Sequence, residues 1–262
     1  MEYRYFLDFI PLWALFIGTI ALITLSLECG FRYGARRRKK TQQEKDAPVG
    51  AVVGATLALL GFMLAITFGI AVSRFDFRRQ TFLGEINVVS SAYLYADLLP
   101  SKERDEIRKL LRDYIDVRLH AVESGKLRQG IAQSEELHRK LWSTTLRASA
   151  ESQNFLAVGI FAQTLNSVFD AHTKRIFATA DSRIPILIWV VLYMVAVLGM
   201  AELGYQAALA GSSRSPATIG LVTAFAAVLL LIADLDRPQG GFLIVSQQSM
   251  KNLRASMDAP PP

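Results

Sequence analysis

Residues 48–79 read PVGAVVGATLALLGFMLAITFGIAVSRFDFRR, and the first 26 of them carry no charged side chain. A helix rises about 1.5 Å per residue, so this run reaches about 39 Å, enough to cross a hydrocarbon core of about 30 Å with some tilt. Charged residues return at 74–79, and apolar residues at helical spacing continue from Phe82 to Leu98. The pattern predicts one long helix that leaves the bilayer and continues into a soluble helical bundle.

Three more uncharged apolar runs cover residues 9–27, 184–201 and 215–233. A cleaved signal peptide is the alternative interpretation of the first run. Nineteen residues is long for the apolar core of such a peptide, however, and Glu2 lies beside Arg4, the one basic residue ahead of the run. Hydrophobic residues form 52% of the 262 positions and are concentrated in these blocks. We therefore predict an all-α polytopic membrane protein with four transmembrane helices.

The part between helices 2 and 3 is predicted to be a soluble bundle of helices. Residues 107–122 show an amphipathic pattern, residues 125–130 indicate a loop, and Ser134 is a candidate cap for the next helix. A last apolar pattern at 155–176 is expected to run without a break into transmembrane helix 3. The predicted domains are 1–73 (helices 1 and 2 with their basic loop), 74–183 (bundle), 184–234 (helices 3 and 4) and 235–262 (C-terminal segment with a disordered tail).

The sequence carries no motif for catalysis or for cofactor binding. The single cysteine, Cys29, excludes an intramolecular disulfide framework and a cysteine-based zinc site. None of the three histidines belongs to a metalloprotease motif, and neither a phosphate-binding loop nor a nucleophile elbow is found. We therefore expect no enzyme, no cofactor and no metal. His172 lies on the apolar face of its helix, where a hydrogen-bonded core histidine is favoured over a ligand.

The net charge of +6 does not indicate a nucleic-acid partner, because seven of the basic residues lie in the short segment 31–45. Basic residues in a short loop between membrane helices usually determine orientation. The alternative is a site for anionic lipid headgroups.

One face of helix 2 consists of residues spaced four apart: Gly54, Ala58, Phe62, Ile66 and Ile70. Such a face either allows neighbouring helices to approach closely or lines a narrow pathway through the membrane. Taken by itself, the pattern favours packing.

Glu202 is the one charged residue that continues the pattern of helix 3. An acid within a membrane span is a functional candidate by default. Glu202 lies near the end of its span, so contact with water is the alternative.

Asp234, Asp236 and Arg237 form a charged cluster at the end of helix 4. The two carboxylates could cap the helix, pair with Arg74 or Arg78, or coordinate a hard cation such as calcium. Pairing within a subunit or across an interface is the interpretation we favour.

Five segments resemble the bacterial bestrophin-like family of membrane proteins: LLGFMLAITFG at 59–69, SRFDFRR at 73–79, AYLYADLLP at 92–100, LDRP at 235–238 and VSQQ at 245–248. Their order and spacing match over about residues 50 to 250, and the chain is identified as a member of that family. A more distant resemblance links it to bestrophins, which are pentameric anion channels with four transmembrane helices.

The distant resemblance implies a pore along helix 2 with an apolar neck. Bestrophins have a Gly-Phe pair followed by an Arg-aromatic pair, similar to Gly61-Phe62 and Arg74-Phe75, although the interval here is about one helical turn longer. They also bind calcium through an acidic segment after helix 4. The segment 236–240 matches that segment only loosely and lacks its acidic run, which puts calcium binding in doubt.

Two functions of different class follow. The first is an oligomeric anion channel, a pentamer if it is bestrophin-like, with its neck at Phe62 and Ile66 and with Arg74 and Arg78 raising the local anion concentration. The second is a non-conducting membrane sensor or scaffold that acts through a partner protein. The expected partners are otherwise the lipid bilayer and further copies of the chain, with no nucleic acid.

Charge and resemblance disagree on orientation. Bestrophins keep the segment between helices 2 and 3 in the cytosol. Orientation follows basic residues in short loops, whereas long domains are translocated largely regardless of charge. The basic run 36–40 is therefore expected in the cytoplasm of a bacterial inner membrane protein, with the middle domain outside.

Overall fold

The computed structural model describes residues 10–40, 46–180, 183–211, 216–238 and 240–258, and in these ranges it contains helices and no strand. The α-helices are α1 (Leu12–Lys40), α2 (Asp46–Tyr95), α3 (Ser101–Glu123), α4 (Leu127–Glu151), α5 (Phe155–Ala180), α6 (Ile186–Leu209), α7 (Pro216–Asp236) and α8 (Gln248–Ser256), with a 3-10 turn at Ala96–Leu98. Four of them, α1, α2, α6 and α7, are long and apolar enough to cross a membrane. The predicted fold class is confirmed.

Helix α2 is 50 residues long, as the uninterrupted helical pattern from 48 to 98 predicts. The sequence also predicts that α5 continues into α6. Instead, α5 ends at Ala180 and α6 begins at Ile186, with Pro185 at its N-cap. Proline has no N–H to donate and disfavours a helical conformation in the preceding residue, so it stands at the start of a new helix.

The described residues divide into two compact units, one within Met1–Asp76 and Ser182–Ile244 and the other within Phe77–Asp181 and Val245–Pro262. We call the first the span unit and the second the bundle unit. The C-terminal segment after Val245 therefore belongs to the bundle unit, in which Met250 and Met257 are buried. The hydroxyl of Tyr93 donates a 2.8 Å hydrogen bond to the carbonyl of Met257. The tail at 259–262, predicted to be disordered, lies outside the described residues.

Glycines let α1 and α6 approach closely in the span unit. A Cβ placed on Gly30 would lie 1.9 Å from the carbonyl oxygen of Ala201, and a Cβ on Gly204 would lie 2.0 Å from that of Leu27. Side chains with a Cβ cannot fit at either position unless the backbones separate. The hydroxyl of Ser26 also donates a 2.5 Å hydrogen bond to a carbonyl on α6. This is the small-residue packing expected between membrane helices.

The bundle unit corrects one prediction about its loops. Helix α4 begins at Leu127, so Ser134 is buried inside the helix, where its hydroxyl donates to the carbonyl of Gly130 at 2.7 Å, and it caps nothing. A Cβ on Gly130 would lie 2.3 Å from the Cβ of Ala121 on α3. Gly130 therefore allows α3 and α4 to approach closely, and it does not mark the end of a loop as the sequence predicted.

Candidate functional site

The predicted stripe on α2 lies largely on the outside of the chain. Phe62 is 65% exposed and Ile66 is 48% exposed, and Gly54 and Ala58 are exposed as well. Only Ile70, at the end of the stripe, is half-buried. An apolar face that its own chain leaves uncovered can face lipid, another subunit or a water-filled path.

The two predicted anion-attracting arginines have different surroundings. Arg74, in the span unit, is half-buried. Arg78, in the bundle unit, is only 7% exposed. A guanidinium as deeply buried as that of Arg78 has little contact with mobile ions, so the two residues are not equivalent.

The predicted cluster at the end of α7 is a hydrogen-bonded joint between chain segments. Asp234 accepts backbone hydrogen bonds from Phe242 at 2.7 Å and Leu243 at 3.0 Å. Asp236 accepts one from the backbone N–H of Ile184 at 2.9 Å. Each carboxylate is 3% exposed as a residue, so these donors replace the water that burial removes.

Two guanidinium groups complete this joint. One is Arg183, which the sequence analysis did not name, with Nη1 3.5 Å from Asp236 Oδ2 and 3.1 Å from the Asp236 carbonyl oxygen. Arg237 Nη2 donates to the carbonyl of Ile10 at 2.6 Å. The oxygens of both carboxylates thus face N–H donors.

Glu202 is half-buried in α6, and its Oε2 atom is buried with no hydrogen-bond partner among the described residues. Its helical neighbours Gly199 and Gln206 contact α2, because a Cβ on Gly199 would lie 3.2 Å from Leu57 and a Cβ on Gly50 would lie 2.7 Å from Gln206 Nε2. The spacing of three and four residues places Glu202 on this same face of α6.

A buried polar cluster that the sequence analysis missed lies in the bundle unit. We call it the Glu85 cluster: Glu85, Tyr114, Arg118, His138, His172 and Arg175. Glu85 is completely buried and forms ion pairs with Arg175 and, at 3.3 Å, with Arg118 Nε. The hydroxyl of Tyr114, also fully buried, donates to the same carboxylate.

The two histidines extend the cluster beyond Tyr114. His172 Nδ1 lies 3.1 Å from the Tyr114 hydroxyl, and the rings of His138 and His172 meet edge to face with centroids 4.8 Å apart. The Nε2 atoms of both histidines are buried and have no hydrogen-bond partner among the described residues. His172 is thus a core histidine, as predicted, but only one of its two ring nitrogens is satisfied.

Burial determines the protonation of this cluster. It lowers the pKa of His172 to about 3, with the positive charge of Arg118 acting in the same direction. Burial also lowers the pKa of His138 to about 4, against the attraction of Glu85. It raises the pKa of Tyr114 well above its usual value, as does the negative charge of Glu85. At neutral pH both imidazoles and the phenol are therefore uncharged.

Comparison with known proteins gives a family and a fold. A family model described as "Bestrophin-like domain" matches residues 14–250. The structure of a bacterial bestrophin homologue from Klebsiella pneumoniae that carries a mutation is similar to this chain, with a TM-score of 0.64 and 13% identity over 94% of this chain and 98% of that one. A crystal structure described as that of a membrane protein is similar with the same TM-score and identity, over 94% and 97%. No protein with a curated description matches the chain.

Proposed function

This chain belongs to the bestrophin-like family, and we propose from that membership that it assembles into an oligomeric anion channel. Helix α2 of each subunit faces the conduction axis. The bestrophin resemblance favours a pentamer, set in the inner membrane of a bacterium. In this arrangement the exposed stripe of α2 lines the pore and does not face lipid.

The observation that carries the proposal is the exposure of Phe62 and Ile66, at 65% and 48%, in an apolar helix that a membrane would surround. A ring of such side chains makes a narrow apolar neck, and narrow apolar necks gate by losing water. Arg74 lies two helical turns beyond Ile66, where a partly exposed positive charge raises the local anion concentration. Arg78 is buried, so we assign the attraction first to Arg74.

Phe62→Ala tests the neck. Purified protein is reconstituted into liposomes with an outward chloride gradient, and the rate of anion efflux is measured with wild type, Phe62→Ala and Phe68→Ala. Phe68 is also exposed but lies about 120° around the helix from Phe62, so it is the matched control. Removing the phenyl group at 62 widens a dry constriction, and we expect a several-fold higher flux, with wild-type flux for Phe68→Ala.

The opposite result separates the alternatives. Equal flux for the two variants, together with a less stable oligomer for Phe62→Ala, would make the stripe a packing face. No flux from wild type with any permeant anion would instead favour the non-conducting sensor or scaffold.

The orientation is part of the proposal. The helix α1 extends past its apolar part into a basic end, where Arg36, Arg37 and Lys39 are exposed. A basic segment of this kind between two spans is retained in the cytoplasm. The bundle unit is then extracytoplasmic.

A further inference from the structure

Two ring nitrogens in the Glu85 cluster, Nε2 of His138 and Nε2 of His172, are buried and have no hydrogen-bond partner in the part of the chain that the structure describes. Buried polar groups normally have a hydrogen-bond partner, so two orphans side by side require an explanation. The residues around them come from four helices of the bundle unit, α2 to α5.

The hydrogen-bond chain assigns the tautomer of His172. The Tyr114 hydroxyl directs its one proton to the Glu85 carboxylate, so the phenol oxygen can only accept a hydrogen bond from His172 Nδ1, 3.1 Å away. Nδ1 therefore carries the hydrogen, and Nε2 presents a lone pair. A proton can bind to this lone pair on His172 Nε2, and it is small enough to need no cavity.

We propose that His172 and His138 bind protons when helices α2 to α5 of the bundle unit separate, so that acid favours the separated state over the closed one. The proposal is independent of conduction, since it concerns the bundle unit alone.

Charge explains why binding and opening are coupled. The charged or titratable groups that face the imidazoles are Glu85 from α2, Tyr114 and Arg118 from α3, and Arg175 one turn further along α5. With neutral imidazoles and a neutral phenol, the cluster contains one carboxylate and two guanidinium groups, so its net charge is +1. A proton on His172 raises the net charge of the cluster from +1 to +2. The closed bundle therefore resists protonation, and the proton enters only when the helices separate and water reaches the ring.

The pH range follows from the difference between closed and open states. An imidazole exposed to water has a pKa of about 6.5, whereas burial holds that of His172 at about 3 and that of His138 at about 4. The closed state is thus fully favoured above pH 6.5 and is weakened as the pH falls below it. Between pH 7.5 and 5.5 each histidine raises the opening equilibrium constant about tenfold, and the pair raises it about a hundredfold.

Hydrogen exchange of the full chain in lipid nanodiscs measures that equilibrium helix by helix. Exchange of the slowest amides of α3 and α5 is followed by mass spectrometry at pH 7.5 and 5.5 and corrected for the intrinsic effect of pH. We expect about a hundredfold loss of protection in wild type on acidification. His172→Asn, which keeps a donor near the Nδ1 position but cannot take up the proton, should lose only about tenfold, and the double variant with His138→Asn should not respond.

The third histidine provides the matched control. His120 is exposed on α3, and His120→Gln should respond to acid as wild type does. An acid response of wild-type size in His172→Asn, or its loss in His120→Gln, would overturn the proposal.

Wild-type protein alone gives a second test if the variants fold poorly. Solid-state NMR with ¹⁵N-labelled histidine distinguishes the tautomers and protonation states of the three imidazoles in proteoliposomes. We expect His172 to remain neutral with its hydrogen on Nδ1 until the bundle opens. A doubly protonated His172 imidazole in a closed bundle would contradict the proposal.

Discussion

Replacing Gly204 with alanine should force α1 and α6 apart. The added Cβ would lie 2.0 Å from the carbonyl oxygen of Leu27 and 2.9 Å from the backbone nitrogen of Phe31. Carbon–oxygen contacts between packed helices are normally about 3.3–3.6 Å. Both neighbours are backbone atoms, which cannot rotate away as a side chain can. The helices must therefore separate locally by about 1 Å or more.

The size of the effect can be worked from what lies in that interface. Overpacking a tight contact costs about 1–3 kcal/mol. Separation also stretches the bond from Ser26 to the Val197 carbonyl, and a hydrogen bond between membrane helices contributes about 0.6 kcal/mol. Replacing glycine with alanine also stabilises the helix, by at most about 1 kcal/mol, because alanine has the higher helix propensity. The net loss in the free energy of unfolding is about 2 kcal/mol, which corresponds to about 4–8 °C in Tm for a chain of this size.

The assay is heating of the detergent-solubilised protein followed by size-exclusion chromatography, with the surviving folded peak plotted against temperature. Gly30→Ala, the other side of the same crossing, should behave like Gly204→Ala. Gly18→Ala is the control in α1, because a Cβ there meets nothing within 4 Å, and its Tm should be unchanged or slightly higher. If Gly204→Ala is as stable as Gly18→Ala, the close approach of α1 and α6 is wrong.

Two further predictions concern the joint and the orientation. Asp236→Asn removes a buried negative charge next to the Arg183 guanidinium, so the free energy of unfolding should fall by about 3–5 kcal/mol in a thermal unfolding experiment. Asp105→Asn, which breaks a surface pair with Arg104, should cost less than about 1 kcal/mol, and equal effects would mean that Asp236 does not hold the joint. In a Cys29→Ser background, Ser124→Cys at the exposed end of α3 should react with a membrane-impermeant maleimide in intact cells if the bundle unit is outside, and labelling only after lysis would place it in the cytoplasm.

The sequence predicted the four apolar spans because an uncharged run of about twenty residues is a local property. It missed α8, which is only 9 residues long and mostly polar. Its apolar core contacts are Met250 and Leu253, and Met257 follows directly after it. Three apolar side chains in one short polar segment are a weak helical signal, so tertiary packing more than pattern determines this element.

The Glu85 cluster was missed for a different reason. Charged side chains on a helix are normally assigned to solvent, yet each of these lies within an apolar stripe. Arg118 follows Leu111 and Tyr114 at helical spacing, and Arg175 follows Val168 in the same way. A charged residue at a core position of one helix predicts an opposite charge at a core position of another. Applied to α2, α3 and α5, that rule would have found the cluster.

The glycines of the membrane-spanning helices show most clearly which contacts the sequence alone does not determine. Taken by itself, the pattern of small residues on α2 favoured helix packing over a pathway. In the chain, however, the close helix contact is made by Gly30 and Gly204, on α1 and α6, whereas Cβ atoms on Gly54, Gly61 and Gly69 of α2 would meet nothing within 4 Å. The hydrophobic effect does not drive helices together inside a bilayer. Packing on a small-residue face is therefore stabilising only where another surface fits that face closely. Among the described residues nothing fits closely against Gly54, Gly61 and Gly69, so this face is left to lipid, to other subunits or to a pathway that they enclose. A packing face would lose assembly on Phe62→Ala and a pore face would gain flux, which is why that variant, compared with Phe68→Ala, distinguishes the two.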